Sequence, residues 1–238
     1  MTNFESKWSG VVFDAVGTTM EANPTVAEAY ARAAMAQGTI LDVGVLRDRF
    51  RRAYELEEEK DRRDGTLETD EANERRRWRD LVATVMPEVA DGDRAFDELW
   101  EHFGRGDSWR TFPDLAEALE LVKRAGIPTA LASNFDSRLR SVVADLPELA
   151  EGIELVISSE VGFRKPHEDF YRVACERLDL PPERVLFIGD DLENDVLGPR
   201  RIGASACWLN RRVGAKKTAE FAHLNLVSAV RTLWERAG

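Results

Sequence analysis

The amino-acid sequence predicts an α/β protein in which helices flank a parallel β-sheet and a block of helices is inserted after the first strand. Two different sequence patterns along the chain lead to this prediction. In the C-terminal half, short apolar runs alternate with helical patterns, as in the repeated strand-helix units of parallel sheets. Residues 21–109 instead contain helix-forming residues, with apolar side chains three and four positions apart.

Five apolar runs have the length of strands. They are GVVF (10–13), PTALA (128–132), ELVIS (154–158), RVLFI (184–188) and SACWL (205–209). Helical patterns such as LRSVVADL lie between the last four, which is typical of a layered fold of strands and helices. We therefore predict a Rossmann-like parallel sheet core.

The helical stretch predicts a second unit. Its segments AEAYARAAMA and LRDRFRRAYELEEEKDRR place apolar residues on one side of a helix. Because this stretch separates the first strand from the other four, we expect it to form a cap on the sheet. The prediction assigns residues 1–20 and 110–238 to the α/β core domain and residues 21–109 to the helical cap domain.

Composition and charge narrow the range of functions. The formal net charge of −11 would repel a phosphate backbone, so we expect no nucleic-acid partner. A small anionic substrate is compatible with this charge where the pocket itself is positive. No run approaches the ~18 apolar residues of a membrane helix, and the first ten residues lack the pattern of a secretory signal. Cys175 and Cys207 lie in apolar stretches without metal-ligand spacing, which favours reduced thiols and a cytoplasmic location.

Polar and charged residues follow four of the predicted strands. They are Asp14, Ser133 with Asn134, Lys165, and the group Asp190, Asp191 and Asp195. Ligands of open parallel sheets bind at this end of the strands, so these side chains should share one site. One aspartate there is often a helix cap, but this set also offers a nucleophile, oxyanion donors, a fixed cation and oxygen ligands for a metal ion. These are the parts that phosphoryl transfer requires.

Four segments in this order resemble the haloacid dehalogenase-like hydrolase superfamily. The matching pieces are FDAVGTT, LASN, the lysine of RKP and IGDDLEND, and the resemblance extends from Val11 to about Asn210. Any one piece is weak evidence, whereas four at strand ends and in the right order are strong. The resemblance implies a hydrolase with an aspartate nucleophile that acts on a small phosphorylated substrate.

The resemblance also implies a role for each matching residue. Asp14 would attack the phosphoryl group, and Lys165 would steady the negative charge. Thr18 and Ser133 would position the transferred group, and the amide of Asn134, on the interpretation of the strand ends above, would help to hold an oxyanion. The ligands of a Mg²⁺ ion would be Asp14, Asp190 and the backbone carbonyl of Val16.

Val16 departs from the pattern of the superfamily. Its phosphatases carry a second aspartate two residues after the nucleophile, which protonates the leaving oxygen and then activates water. General acid-base catalysis contributes about 10²–10⁴ in rate, so a valine at this position predicts a slow phosphatase. We expect a magnesium-dependent phosphohydrolase of a small phosphorylated metabolite, slowed at this step.

Two alternatives stay open. One is a hydrolase that acts on carbon, because dehalogenases and phosphonatases of the superfamily also lack the second aspartate. Its dehalogenases, however, resemble a metal-free design without the GDD segment. Its phosphonatases need a cap lysine, whereas Lys60 lies in the charged run EEEKDRR. The other alternative is a catalytically impaired binding or regulatory relative that kept the fold. No heptad or apolar stripe indicates an oligomeric state.

Single residues near the motifs allow further expectations. Gly17 should permit the sharp turn after the nucleophile. Asp195 should support the lysine or a metal-bound water, and Asp191 should cap the next helix. His167 could supply the missing acid-base group, but a place in the first turn of the following helix is favoured.

Two charged segments have two interpretations each. The arginines of RRRWR, around Trp78, could face an anionic substrate, but a charged helix face is favoured. Asp136 and Arg138 could contact the substrate, or Asp136 could simply begin the next helix.

Overall fold

The computed structural model describes residues 8–211 and 222–234. Its strands are β1 (Gly10–Phe13), β2 (Met20–Ala22), β3 (Trp109–Thr111), β4 (Thr129–Ser133), β5 (Glu154–Ile157), β6 (Val185–Gly189), β7 (Ser205–Leu209) and β8 (Ala222–His223). Six of them form one sheet in the order β5-β4-β1-β6-β7-β8, with all neighbouring strands parallel. This sheet confirms the predicted α/β fold, and each of the five apolar runs forms a strand within one residue of its predicted bounds. The two-residue β8 was not predicted because no apolar run marks it.

Helices follow most of the strands and also fill the insertion. They are α1 (Val26–Ala36), α2 (Val43–Asp64), α3 (Glu71–Val85), α4 (Gly92–Phe103), α5 (Leu115–Arg124), α6 (Arg138–Ala144), α7 (Ser158–Val161), α8 (Glu168–Arg177), α9 (Gly198–Arg201) and α10 (Leu226–Arg231). A π-helical segment, Leu192–Leu197, runs directly into α9. Among the helices of the described ranges, none has both the length and the apolar character needed to cross a membrane.

Apolar side chains alternate between the two faces of the sheet. In β1, Val11 and Phe13 pack in a cluster with residues of α5, α6 and α10, whereas Val12 packs in another cluster with residues of α8. Successive side chains of a strand point to opposite faces, and helices cover both faces here. The central strands β1, β4 and β6 are therefore buried throughout, which explains the nearly continuous apolar runs in the sequence.

The four helices α1 to α4, called the cap helices below, lie between β2 and β3 in the chain. They bury an apolar cluster of their own, which includes the fully buried Tyr30 and Phe96. β2 and β3 pair antiparallel, with Ala22 opposite Trp109, so the chain enters and leaves the cap helices through adjacent strands. The predicted boundaries at residues 21 and 109 fall within these strands, and the division into two domains stays a prediction.

Short polar side chains begin the cap helices. Thr25 and Glu28 form a reciprocal capping box at the start of α1. Asp42, Asp70 and Asp91 each accept a hydrogen bond from the backbone amide three residues further on. The starts of these helices are thus fixed by local sequence, independently of the sheet.

The strand order brings the polar strand ends together. β1 lies between β4 and β6, with Phe13 opposite Leu131 of β4 and Ile188 of β6. These strands run in the same direction, so the residues that follow them lie at one edge of the sheet. Asp14 therefore stands between the ends of the two neighbouring strands.

Candidate active site

One buried lysine pairs with two carboxylates at the end of β1. Lys165 Nζ donates a hydrogen bond to Asp14 Oδ1 at 2.8 Å and another to Asp195 Oδ1 at 2.7 Å. Burial alone would lower the pKa of Lys165, but the two carboxylates raise it above its ordinary value, so the ammonium group stays charged. The structure thus brings these three predicted residues together around one fixed positive charge.

Asn134 holds the backbone of Lys165. Its Nδ2 donates to the Lys165 carbonyl oxygen at 3.1 Å, and its Oδ1 accepts from the Lys165 amide at 2.7 Å. This pair of bonds fixes the segment that carries the lysine. The geometry gives Asn134 a positioning role, while its predicted contact with an oxyanion stays a prediction.

The loop after β1 lies against Asp190. Thr18 Oγ1 donates to Asp190 Oδ1 at 3.2 Å. Gly17 has a φ angle of +90°, and a Cβ atom there would lie 2.5 Å from Asp190 Oδ2. Glycine alone tolerates both this backbone angle and this approach, as the sequence predicts.

Asp195 is held from two sides. Its Oδ2 accepts from the backbone amide of Asp191 at 3.0 Å, while its Oδ1 faces the lysine. A Cβ atom on Gly189 would collide with Asp195, so glycine at the end of β6 leaves room for this carboxylate. Asp191 Oδ1 accepts from the Asn194 amide at 2.7 Å and caps the π-helical segment, which is the role favoured by the sequence.

Asp14, Asp190 and Asp195, called the carboxylate cluster below, each place one oxygen within 4.8 Å of the others. Asp190 is open to the cavity but has protein on its other sides. Desolvation there, followed by the charges of Asp14 and Asp195, raises the pKa of Asp190 to about 8. Burial raises the pKa of Asp195 to about 6, although Lys165 opposes this shift. The cluster therefore concentrates more negative charge than one lysine offsets.

A cavity of about 320 Å³ opens onto the carboxylate cluster. The predicted site residues that line it are Asp14, Val16, Ser133, Asn134, Lys165 and Asp190. Thr18 is fully buried, and its hydroxyl reaches the site through Asp190. The structure thus gathers the predicted residues at one place, while their chemical roles stay predictions.

Aromatic side chains form a large part of the cavity wall. They are Tyr30, Phe50, Tyr54, Trp78, Phe103, Trp109 and Phe135, called the aromatic lining below. The rings contact one another in two series, with centroids 5.6 to 6.4 Å apart in the first and 5.8 to 5.9 Å in the second. Sequence analysis missed this set because Phe50 and Tyr54, four residues apart, match the ordinary spacing of a buried helix face.

Val16 and the two tyrosines of the aromatic lining are poor proton donors. Val16 lines the cavity with 40% of its surface exposed and has no acidic proton to give. Burial raises the pKa of Tyr30 and of Tyr54 well above their ordinary values. Neither phenol therefore replaces a carboxylic acid as a proton donor at neutral pH.

A buried ion-pair network joins the cap helices to the core next to this cavity. Arg164 Nη1 donates to Glu74 Oε1 at 2.5 Å, and its Nη2 donates to Glu58 Oε1 at 2.8 Å. All three side chains are less than a tenth exposed. Arg164 directly precedes Lys165, but its partners lie 90 and 106 residues away in the chain. No local pattern in the sequence could therefore have identified them.

The remaining predicted residues have structural partners. Arg75 pairs with Asp97, and Arg79 pairs with Asp93, so these two arginines of α3 belong to a charged helix face. Arg77 is largely buried instead and pairs with Glu58 and Asp61 of α2. His167 occupies the N-cap of α8, one residue before the predicted first turn, and its Nδ1 accepts from a backbone amide at 3.2 Å. These contacts agree with the non-catalytic interpretations of both segments.

A family model described as haloacid dehalogenase-like hydrolase matches residues 8–203. The chain belongs to this family. Haloacid dehalogenase-like hydrolase domain-containing protein 3 of Xenopus laevis is 26% identical over 212 residues, which cover 87% of this chain and 86% of that protein. The predicted superfamily is thereby confirmed, and the protein is a hydrolase.

Solved structures of haloacid dehalogenase-like proteins with this fold include both a dehalogenase and a phosphatase. L-2-haloacid dehalogenase from Xanthobacter autotrophicus matches with a TM-score of 0.70 and 22% identity, over 94% of this chain and 97% of that one. A HAD phosphatase from Thermococcus onnurineus matches with a TM-score of 0.63 and 21% identity, over 94% and 97%. Similarity at this level establishes a shared fold, so the reaction must be argued from the site.

Proposed function

We propose that this protein is a magnesium-dependent phosphohydrolase that uses Asp14 as its nucleophile. The proposal depends most on Asp190, which brings a third carboxylate to the site that Asp14 and Asp195 already share with one lysine. Desolvation and the charges of Asp14 and Asp195 raise the pKa of Asp190, and a divalent cation held by these oxygens would offset that repulsion. By the family resemblance, dehalogenases follow a metal-free design, so this carboxylate favours phosphoryl chemistry over carbon chemistry.

The carboxylate cluster fits Mg²⁺ because all of its donors are oxygen atoms. Asp14 and Asp190 would hold the ion, and the backbone carbonyl of Val16 is the predicted third protein ligand. When bound, Mg²⁺ neutralises negative charge on the phosphoryl oxygens. Thr18 orients Asp190 for this task through its hydroxyl hydrogen bond.

Asp14 would act first. Its carboxylate oxygen attacks phosphorus, and the bond from phosphorus to the leaving oxygen breaks. Lys165, fixed 2.8 Å from Asp14 Oδ1, orients the carboxylate and attracts the phosphoryl group. Ser133 lines the cavity and would donate to a phosphoryl oxygen. Water then hydrolyses the aspartyl phosphate, which releases inorganic phosphate and restores Asp14.

Val16 would slow both steps. Without a carboxyl group at this position, the leaving oxygen must depart as an anion and take its proton from solvent. The attacking water in the second step likewise lacks a positioned base. The expected loss is about 10²–10⁴ in rate for each step that needs the missing group. With acetyl phosphate, whose leaving group departs without an acid, only the second step is slowed, so aspartyl phosphate should accumulate.

Hydrolysis of a 2-haloacid is the second candidate. The apolar Val16 and the aromatic lining favour it, because a halide leaves without needing a proton. In that reaction Asp14 would attack carbon and displace the halide, and water would hydrolyse the resulting ester. Asp190 would have no evident task in this chemistry.

Paired assays separate the two candidates. We expect phosphate release from acetyl phosphate that requires Mg²⁺, stops with EDTA and is lost in Asp14→Asn. Chloride release from 2-chloropropionate should stay at the background rate. Chloride release in EDTA without any phosphate release would overturn the proposal and support the second candidate. No turnover of either compound, even in Val16→Asp, would contradict both.

A further inference from the structure

The cavity wall that surrounds the substrate beyond its phosphoryl group is aromatic and aliphatic. In addition to the aromatic lining, Val16 and Val26 face the cavity. The rings come from all four cap helices, from β3 and from the residues after β4, so they surround the space from several elements. A substrate body that contacts this wall loses water from its surface, which favours an apolar group over a sugar or a polyol.

The basic side chains that line the cavity within the described residues are Arg138 and Lys165, and both are already paired. Arg138 Nε and Nη2 each donate to the fully buried Asp136 at 2.7 Å, and its Nη1 donates to the Trp100 carbonyl oxygen at 2.5 Å. Its guanidinium also lies 3.3 Å from the centre of the Trp100 ring. A second anionic group on the substrate would have to break these contacts to bind Arg138.

The chemistry of the site sets a second condition on the leaving group. Because Val16 supplies no proton, the leaving oxygen must be stable as an anion. An alkoxide meets this condition poorly, whereas a phenolate spreads its charge into an aromatic ring. The aromatic lining and the need for a stable leaving anion therefore both favour an aromatic leaving group.

We propose, building on the proposed function, that the substrate is an aryl phosphate whose single aromatic ring contacts the aromatic lining. The ring would stack or pack edge-on against the side chains of the cap helices. The cavity of about 320 Å³ is larger than the ~150 Å³ cavity that holds benzene, so one ring with its phosphoryl group fits.

The first step of this reaction needs no general acid. A bond forms between the Asp14 oxygen and phosphorus while the bond from phosphorus to the aryl oxygen breaks. The phenolate leaves with that electron pair and is protonated by solvent. Water then supplies the oxygen that converts the aspartyl phosphate to inorganic phosphate and free Asp14.

Four substrates test this assignment through kcat/KM at saturating Mg²⁺. Phenyl phosphate has both the ring and a stable leaving group, and benzyl phosphate keeps the ring but leaves as an alkoxide. Acetyl phosphate has a stable leaving group without a ring, and glycerol phosphate has neither. We expect phenyl phosphate to exceed benzyl phosphate by about 100-fold or more, and glycerol phosphate to be the poorest substrate. In Val16→Asp the gap between the two ring compounds should shrink.

Variants of the wall test the ring contact. Trp78→Ala should lower kcat/KM for phenyl phosphate about tenfold more than for acetyl phosphate, and Trp78→Phe should restore most of the loss. Leu56→Ala is the matched control, because Leu56 lies on α2 with 55% of its surface exposed and outside the cavity lining. Its activity should equal that of the wild type, and thermal unfolding confirms that each variant is folded.

The outcomes separate this inference from the proposed function. If acetyl phosphate is hydrolysed through Asp14 but phenyl phosphate is no better than glycerol phosphate, the substrate class is wrong and the phosphohydrolase stands. Equal losses on both compounds in Trp78→Ala, with no recovery in Trp78→Phe, would also overturn the substrate class. If no phosphate compound is hydrolysed in an Asp14-dependent way, the proposed function itself is wrong.

Discussion

The carboxylate side and the aromatic side of the cavity are built from different interactions. On the first side, directional bonds fix each charged group: Lys165 bridges two carboxylates, and Thr18 donates to Asp190. On the second side, rings such as Tyr30, Phe50 and Tyr54 are held by packing against one another, with no charge among them. The first arrangement suits a reaction that tolerates little displacement, and the second suits selection of a shape.

This difference implies that the two sides fail in different ways. A change among the charged groups should affect every substrate, because the phosphoryl group is common to all of them. A change among the rings should affect substrates unequally, according to the organic group that is attached to the phosphate. The predictions below test this contrast, from the largest expected effect to the smallest.

Val16→Asp should accelerate hydrolysis of alkyl phosphates by about 10²–10⁴-fold, because it adds a general acid and base beside the nucleophile. Steady-state kcat with benzyl phosphate measures the gain. Val16→Asn is the matched control, since it adds a polar side chain of the same size without an acidic proton. A rate in Val16→Asp no higher than in Val16→Asn would show that Val16 does not limit turnover.

Arg164→Met should lower the free energy of unfolding by about 3–5 kcal/mol, because it removes the cation that pairs with the buried Glu74 carboxylate and leaves Glu58 to Arg62 and Arg77. Urea denaturation measures the change. Arg94→Ala is the control, because its pair with Glu98 is solvent-exposed and should cost about 0.5 kcal/mol or less. Equal losses in the two variants would contradict the view that this buried network stabilises the contact between the cap helices and the core.

Mg²⁺ at about 100 times its Kd should raise the free energy of unfolding by about 2.7 kcal/mol, and EDTA should reverse the gain. Asp190→Asn should abolish the effect, because it removes a predicted ligand. Asp191→Asn should retain it, since asparagine also caps a helix and Asp191 lies outside the carboxylate cluster. Thermal unfolding with and without Mg²⁺ measures the gain. An equal gain in Asp190→Asn and Asp191→Asn would contradict this account.

The pH dependence of Mg²⁺ binding should be the mildest of these effects. Desolvation raises the pKa of Asp190 from 3.8 to about 8, so the folded, metal-free protein keeps a proton that the unfolded chain has lost. Stability without metal should therefore fall as the pH rises from about 4 to about 8 and level off above that range. Mg²⁺ must displace the same proton, so its affinity should rise by up to about tenfold per pH unit below pH 8. Calorimetric titration at pH 6, 7 and 8 would contradict this if the affinity stayed constant.

The sheet and its charged edge could be predicted from the sequence because each depends on contiguous residues. Apolar runs mark the central strands, and a parallel sheet brings the residues after them to one edge, which gathers Asp14, Ser133 and Asp190. The pair of β2 and β3 was not predicted, because strands of three residues carry no periodic signal and their partners lie far apart in the chain.

The aromatic side of the cavity could not be predicted for a related reason. A ring that lines a cavity and a ring that fills a core show the same helical spacing, as Phe50 and Tyr54 do. What distinguishes them is the space left between the cap helices and the sheet, which depends on how separate elements pack. Motifs therefore predicted which residues gather at the carboxylate side of the cavity, and only the fold reveals its aromatic wall.

The central claim is that Asp14 is the nucleophile and that Val16 makes its phosphorylated form long-lived. Mass spectrometry of the intact protein after incubation with acetyl phosphate and Mg²⁺ tests it most directly. We predict that the wild type gains the mass of one phosphoryl group, that Asp14→Asn gains none, and that Val16→Asp consumes substrate without retaining the label. A label of equal size on Asp14→Asn, or substrate turnover by an unlabelled wild type, would contradict the claim.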